Sequence, residues 1–166
     1  MPTLFGNLES GNVHKVMALL GLLGVAYTRV DVAQVRGEPR HPAFLALNPI
    51  GKVPVLRLDD GTVVSESGAI LYRLAQGTPF WPTDVARQTE VLRWMFFEQY
   101  SHEPSLAVLR YLKNWAAPGE RQEGRWPDLE RRGRQALEAM ASQLRHRIWI
   151  AGTSGPSIAD LALYPY

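Results

Sequence analysis

The sequence predicts an α/β domain followed by an all-helical domain, and two observations carry this prediction. Short β-favouring runs alternate with helical apolar spacing as far as residue 77, whereas the later apolar residues fall at helical spacing. The segment between them, GTPFWPTD, has two prolines, a glycine and a capping aspartate, which is typical of a linker. We therefore predict domains at residues 1–77 and 85–166, joined by a linker at 78–84.

The first domain is predicted to run βαβ, α, ββα. Strand-like runs at Thr3–Phe5 and 27–32 flank a helix that ends at Gly24, and a βαβ unit of this kind brings parallel strands together. A short helix follows in PAFLALNP. Runs at 53–58 and 62–64 are joined by DDG, a hairpin signal that makes these strands antiparallel. With the helix of SESGAILYRLAQG, the elements make a mixed four-stranded sheet with helices.

The second domain is predicted to be helical throughout. A long pattern covers residues 84–117, where Pro104 is expected to kink or break the helix near Ser101. A second helix is predicted at 128–148, and SIAD offers a capping box formed by Ser157 and Asp160. The residues predicted to face the core of these two long helices are Val91, Leu92, Met95, Phe96, Leu106, Leu109, Leu112, Leu129, Ala136, Leu137, Met140 and Leu144.

Composition excludes several classes of function. The 166 residues include no cysteine, which rules out disulfides, thiolate metal sites and redox chemistry on a protein thiol. The net charge is only +2 and the arginines are interleaved with glutamates, so we predict no nucleic-acid partner. The four histidines lack metal-ligand spacing, so we expect no metal. No membrane-spanning run or signal peptide is recognised, and we expect a cytoplasmic location.

Four stretches stand out in order along the chain: LESGNVHKV, NPIGKVPVL, SESGAI and SIADLALY. Together they resemble the cytosolic glutathione S-transferase family in its serine-type bacterial, theta and delta branches, and the resemblance covers essentially the whole chain. It implies a thioredoxin-like N-terminal domain, an all-α C-terminal domain, glutathione as co-substrate, a hydrophobic electrophilic small molecule as second substrate, and a homodimer. It also implies further helices, so we expect the natural chain to continue past Tyr166.

The resemblance implies where glutathione would bind. Val53 would offer its backbone to the cysteinyl unit, next to a cis Pro54. Ser67 would bind the γ-glutamyl carboxylate at a helix N-terminus, and Glu66 would face the α-amino group. Lys52 would reach the glycyl carboxylate, with His41 near that end. A serine cap, a solvated lysine and an edge-shaping proline are the structural alternatives.

The reactive sulfur is expected at LESGNV, where two residues compete. Ser10 matches the serine that donates to the glutathione sulfur in the serine-type branches, and Asn12 can do the same with its amide. Either residue can instead be a simple helix cap. We rank Ser10 ahead of Asn12.

Three functions are consistent with these residues. The first is a transferase that activates the glutathione thiol for attack on an electrophile. The second is a glutathione-dependent reductase of disulfides or peroxides, and the third is a non-catalytic binding module of the same fold.

Overall fold

Four short strands form one mixed sheet in the computed structural model, which describes residues 1–32 and 38–166. The strands are β1 (Thr3–Phe5), β2 (Thr28–Val30), β3 (Val55–Arg57) and β4 (Val63–Ser65). The sheet has the order β2-β1-β3-β4, with β1 parallel to β2 and antiparallel to β3, and β3 antiparallel to β4. The predicted βαβ unit and hairpin are therefore confirmed.

Three helices cover the two faces of this sheet. Helices α1 (Gly11–Leu22) and α3 (Ser67–Ala75) lie on one face, because their apolar residues share a core with Leu4 and Leu56. Helix α2 (Pro42–Leu45) lies on the other face, where Phe44 packs with Val32 and Val55. Neighbouring strand residues point to opposite faces, so this part of the chain is the predicted α/β domain with three layers.

Contacts divide the chain into a first unit, Met1–Trp81, and a second unit, Pro82–Tyr164. The second unit is helical, as predicted. Its helices are α4 (Val85–Phe97), α5 (Glu103–Asn114), α6 (Trp126–Leu144) and α7 (Ile158–Leu163), with short 3-10 turns at Pro118–Glu120 and Glu123–Arg125.

The chain passes from α4 to α5 through a π-helical turn, Glu98–His102. Pro104 is the second residue of α5, and Glu98, His102 and Glu103 keep right-handed helical backbone angles, so α4, the π-helical turn and α5 run on as one helix. The helix is therefore disturbed near Ser101, where the π-helical turn lies, but it does not break there. At α7 the predicted capping box is also present, since the Ser157 N–H donates to Asp160 Oδ2 at 2.8 Å and the Ser157 hydroxyl accepts from the Ala159 N–H.

Part of the predicted core of the second unit was wrong. Val91 is buried as expected, yet Phe96 is 65% exposed, and Leu92 is exposed as well. The buried stripe of α4 instead continues through Trp94, which is 3% exposed. The reason is that WMFF supplies apolar side chains around most of the helix, so periodicity does not single out one face. In α6, Leu137 and Leu144 are likewise exposed.

Within the described residues, no helix is long and apolar enough to cross a bilayer.

Candidate functional site

The sheet register brings three segments to one end of the first unit. Phe5 pairs with Val55, and Val55 pairs with Ser65, so the last residues of β1 and β4 lie beside the first residue of β3. The chain runs from β1 into α1 and from β4 directly into α3. The amino ends of both helices and the loop before β3 therefore lie at this end of the sheet. The predicted sulfur, backbone and carboxylate positions come from these three segments.

Ser10 is the N-cap of α1. Its backbone is extended, and its hydroxyl oxygen accepts a hydrogen bond from the Val13 N–H at 3.3 Å. Because that bond uses an oxygen lone pair, the hydroxyl proton stays available to another acceptor.

A buried asparagine holds the turn that carries Ser10. The Asn7 side-chain oxygen accepts a hydrogen bond from the Ser10 N–H at 2.9 Å, and the Asn7 side-chain NH2 donates to the Val32 backbone carbonyl at 3.1 Å. The same turn runs close to α1, since a Cβ on Gly6 would lie 2.4 Å from a Val13 methyl. Asn7 and Gly6 thus fix where α1 begins relative to β1.

The loop before β3 contains a cis peptide bond between Val53 and Pro54, as the family resemblance implies. Strand pairing begins at Val55, so the peptide groups of Val53 lie outside the ladder. Asn48, which is 2% exposed, organises this loop: its amide donates to the Lys52 carbonyl at 2.8 Å and its oxygen accepts from the Ile50 N–H at 3.2 Å. The Lys52 side chain is exposed.

The amino end of α3 is built differently from that of α1. Glu66 stands at the N-cap with φ 68° and ψ 117°, and its side chain makes no capping hydrogen bond. A positive φ in a residue other than glycine costs on the order of 1–3 kcal/mol. Ser67, the first residue of α3, is 5% exposed, whereas Glu66 is exposed.

One side chain joins the two helix starts. The Asn12 side-chain oxygen accepts from the Ser67 hydroxyl at 3.3 Å and from the Lys15 ammonium at 2.7 Å. The residues Asn12 and Ser67 are 55 positions apart in sequence. The structure therefore places Asn12, the second-ranked candidate for the thiol end, in contact with Ser67, the residue predicted for the carboxylate end.

His41 lies on the other face of the sheet. It caps α2, with Nδ1 accepting from the Ala43 N–H at 3.3 Å. With apolar residues that include Phe5 and Phe44, it lines a cavity of about 520 Å³. Its predicted place near the glycyl end stays a prediction.

Sequence reasoning missed Asn7, Asn48 and Lys15. The sequence did indicate a role for the two asparagines, since both stand in turn segments, GN and NP, where asparagine side chains form hydrogen bonds to nearby backbone. The helical spacing also indicated that Lys15 is buried, because it lies four residues before the buried Leu19 and therefore on the inner face of α1. Its partner could not be read from the sequence.

In the described part of the chain, no group of three or more histidine, aspartate or glutamate side chains gathers to hold a metal ion.

Comparison with known proteins decides the family. The profile of "Glutathione S-transferase, N-terminal domain" matches residues 9–76. A solved glutathione S-transferase from Pseudomonas fluorescens is 44% identical, with a TM-score of 0.93, over 99% of this chain and 82% of that chain. The chain belongs to the glutathione S-transferase family.

Two further relatives widen the picture. A glutathione transferase from Burkholderia graminis, solved with two glutathione molecules bound per subunit, is 28% identical with a TM-score of 0.86, over 99% of this chain and 70% of that chain. The transcriptional regulator URE2 of Saccharomyces cerevisiae is 30% identical over 99% of this chain. The chain spans 57% of the length of that regulator.

Proposed function

We propose that this glutathione S-transferase family member binds glutathione at the shared end of α1 and α3 and converts its thiol to a thiolate that attacks a hydrophobic, electrophilic small molecule. The observation that carries this proposal is the 3.3 Å contact between Asn12 and Ser67. This contact links Asn12, one of the two candidate donors to the glutathione sulfur, to the first residue of α3. The N-cap residue of that helix, Glu66, makes no capping hydrogen bond with its side chain.

The carboxylate end of glutathione would lie at α3. The first N–H groups of a helix have no intrahelical acceptor, and the helix dipole adds about half a positive charge there. A γ-glutamyl carboxylate fits this position, with the Ser67 hydroxyl as a further donor, and the exposed Glu66 carboxylate attracts the α-amino group. The Val53 peptide groups, outside the ladder, suit the backbone of the cysteinyl unit, and Lys52 suits the glycyl carboxylate.

The thiol end would lie at α1. A free thiol has a pKa of about 8.5, and lowering it by about 2 units requires roughly 2.7 kcal/mol of preference for the thiolate. The Ser10 hydroxyl and the Asn12 amide, together with the helix N-terminus, can contribute hydrogen bonds of this total size. The thiol proton leaves to water, the sulfur forms a bond to the electrophilic carbon, and the leaving group departs with the electron pair.

A second reaction uses the same thiolate. Attack on a disulfide instead of carbon forms a mixed disulfide and releases one thiolate, and a second glutathione then releases the other thiol and leaves glutathione disulfide, so the reduction needs no protein cysteine. The Burkholderia relative, solved with two glutathione molecules bound per subunit, supports this candidate, because this reduction uses two glutathione molecules. The relative named as a transcriptional regulator makes a non-catalytic glutathione-binding module the third candidate.

One experiment separates these functions. Turnover of glutathione is measured with aryl halides, epoxides, hydroperoxides and mixed disulfides, alongside calorimetric titration with glutathione alone. We expect binding and conjugation of a carbon electrophile. Turnover confined to disulfides or hydroperoxides would select the reductase, binding without turnover would select the binding module, and no heat and no rise in melting temperature at millimolar glutathione would overturn the whole proposal.

The setting of this activity is also a proposal. We infer a cytoplasmic homodimer with a role in detoxification, by analogy with the family. Light scattering of the full-length protein at micromolar concentration is expected to give twice the mass of one chain, and a monomer would contradict the dimer.

A further inference from the structure

Lys15 has a buried ammonium for which the proposed function gives no role. The side chain is 1% exposed and lies one turn into α1. Lysine is among the residues least often buried, because an ammonium loses its hydration there. Its Nζ donates to the Asn12 side-chain oxygen at 2.7 Å, a short charge-assisted bond.

This contact determines which end of the Asn12 amide faces away from Lys15. An ammonium has donors and no acceptor, so the Asn12 atom that it contacts must be the oxygen. The Ser67 hydroxyl donates to the same oxygen at 3.3 Å. Both lone pairs of the oxygen are then engaged, and the amide nitrogen, which can only donate, is the end left for a ligand.

Two groups, the Lys15 ammonium and the Ser67 hydroxyl, donate to the Asn12 oxygen, and we expect only Lys15 to keep its bond when glutathione binds. The Ser67 hydroxyl has one proton, and a carboxylate bound at the start of α3 is a stronger acceptor for it than an amide oxygen. Lys15 has three protons and is enclosed. It therefore holds the Asn12 oxygen in both the free and the bound protein.

We propose that Lys15 is a positioning residue for thiolate formation: by holding the Asn12 oxygen, it presents the Asn12 amide nitrogen as a donor to the glutathione sulfur. This inference rests on the proposed function. The ammonium also polarises the amide, which strengthens the N–H donors at its other end. Without Lys15, the amide can turn its oxygen toward the sulfur, where it would oppose a thiolate.

The test compares Lys15→Met with the wild-type protein by two readouts, glutathione affinity from calorimetry and the pKa of the bound thiol from ultraviolet thiolate absorbance against pH. We expect affinity within about threefold of wild type and a thiol pKa raised by about one unit, which lowers the ratio of thiolate to thiol about tenfold at any given pH. Lys15→Gln keeps a donor and should recover part of the shift. The control is Lys113→Met, an exposed lysine on α5, with no change in either readout.

A double-variant cycle tests whether Lys15 acts through Asn12. We expect Asn12→Ala with Lys15→Met to raise the thiol pKa no further than Asn12→Ala alone. Additive shifts would overturn the positioning role, and so would a Lys15→Met protein whose bound thiol keeps the wild-type pKa. If wild-type protein shows no glutathione binding, the proposed function itself fails, and the first titration reveals this separately.

One measurement needs no variant and covers the case in which Lys15→Met does not fold. In the wild-type protein, the side-chain amide protons of Asn12 are followed by NMR while glutathione is added. We expect them to shift as they bond to sulfur. Amide protons that stay unmoved at saturating glutathione would overturn the inference.

Discussion

Helices α1 and α3 begin at the same end of the sheet, but their first turns are completed in different ways. Helix α1 has an ordinary cap, since Ser10 is extended and its side chain accepts from the Val13 N–H. Helix α3 has Glu66 at positive φ with no capping bond from its side chain. The first helix start is satisfied by the protein. The second carries a conformational cost and leaves its donors to another acceptor.

This difference separates stability from binding within one site. A residue that completes its own helix contributes to folding whether or not a ligand is present. A residue held in a costly conformation, beside free helix N–H groups, is typical of a ligand site. Substitutions at α1 should therefore lower stability, and substitutions at α3 should lower affinity.

The largest expected effect is on affinity at α3. Ser67→Ala removes a donor to a carboxylate and should weaken glutathione binding by about 1.5–3 kcal/mol, measured by calorimetry. The matched control is Ser154→Ala, at an exposed serine in the second unit, with unchanged affinity. If Ser67→Ala lowers glutathione affinity by less than about threefold, the Ser67 hydroxyl does not bind the carboxylate.

The next effect is on stability at α1. Ser10→Ala deletes the cap and should lower the free energy of unfolding by about 1 kcal/mol in a denaturant titration. Glutathione affinity should stay nearly unchanged while the pKa of the bound thiol rises. If Asn12→Ala raises that pKa and Ser10→Ala does not, the ranking of Ser10 ahead of Asn12 is wrong.

A glycine tests the strained start of α3. Glu66→Gly relieves the positive φ and should raise the free energy of unfolding by about 1 kcal/mol, while glutathione binding weakens because the carboxylate is lost. Glu66→Gln keeps the backbone cost and should weaken binding without the gain in stability.

The matched control for this pair is Gln122→Gly in the second unit, where φ is 48°. It should be stabilising and leave binding unchanged. A Glu66→Gly protein that is no more stable than wild type would show that the positive φ carries no cost.

How far the sequence predicted these two helix starts depends on the range of the interactions. Ser10 and Glu66 were predicted from the family resemblance, which rests on the short local stretches LESGNVHKV and SESGAI. The contact between Asn12 and Ser67 spans 55 residues and exists only after the sheet register has formed, so spacing alone did not reveal it. The role of Lys15 depends on that contact.

The second unit shows the opposite case. Its helices and its capping box were predicted, because helix signals are local. The face of α4 was predicted wrongly, since Trp94, Met95 and Phe96 in succession give no unique apolar stripe. Packing against neighbouring helices decides which of these residues is buried.

The smallest expected effect concerns a carboxylate that the fold itself satisfies, in contrast to Glu66. A hydrogen bond from Arg93 lowers the pKa of Glu90, and the charges of Arg93, Arg147 and Arg87 act in the same direction. A carboxyl with a lowered pKa in the folded state stabilises the protein above its unfolded pKa, and this contribution is lost as the pH falls through the folded value. The Glu90 side chain is partly exposed to solvent, so its contribution to the free energy of unfolding should stay below about 1 kcal/mol.

We expect Glu90→Gln to have a slightly lower free energy of unfolding than wild type at pH 7. This difference between the two proteins should disappear as the pH is lowered below about 4.5, the ordinary pKa of a glutamate carboxyl. Glutathione affinity should be unchanged at neutral pH. A gap that widens in acid would mean that Glu90 is stabilised in its protonated form, and a loss of affinity would mean that carboxylates in the second unit also support binding.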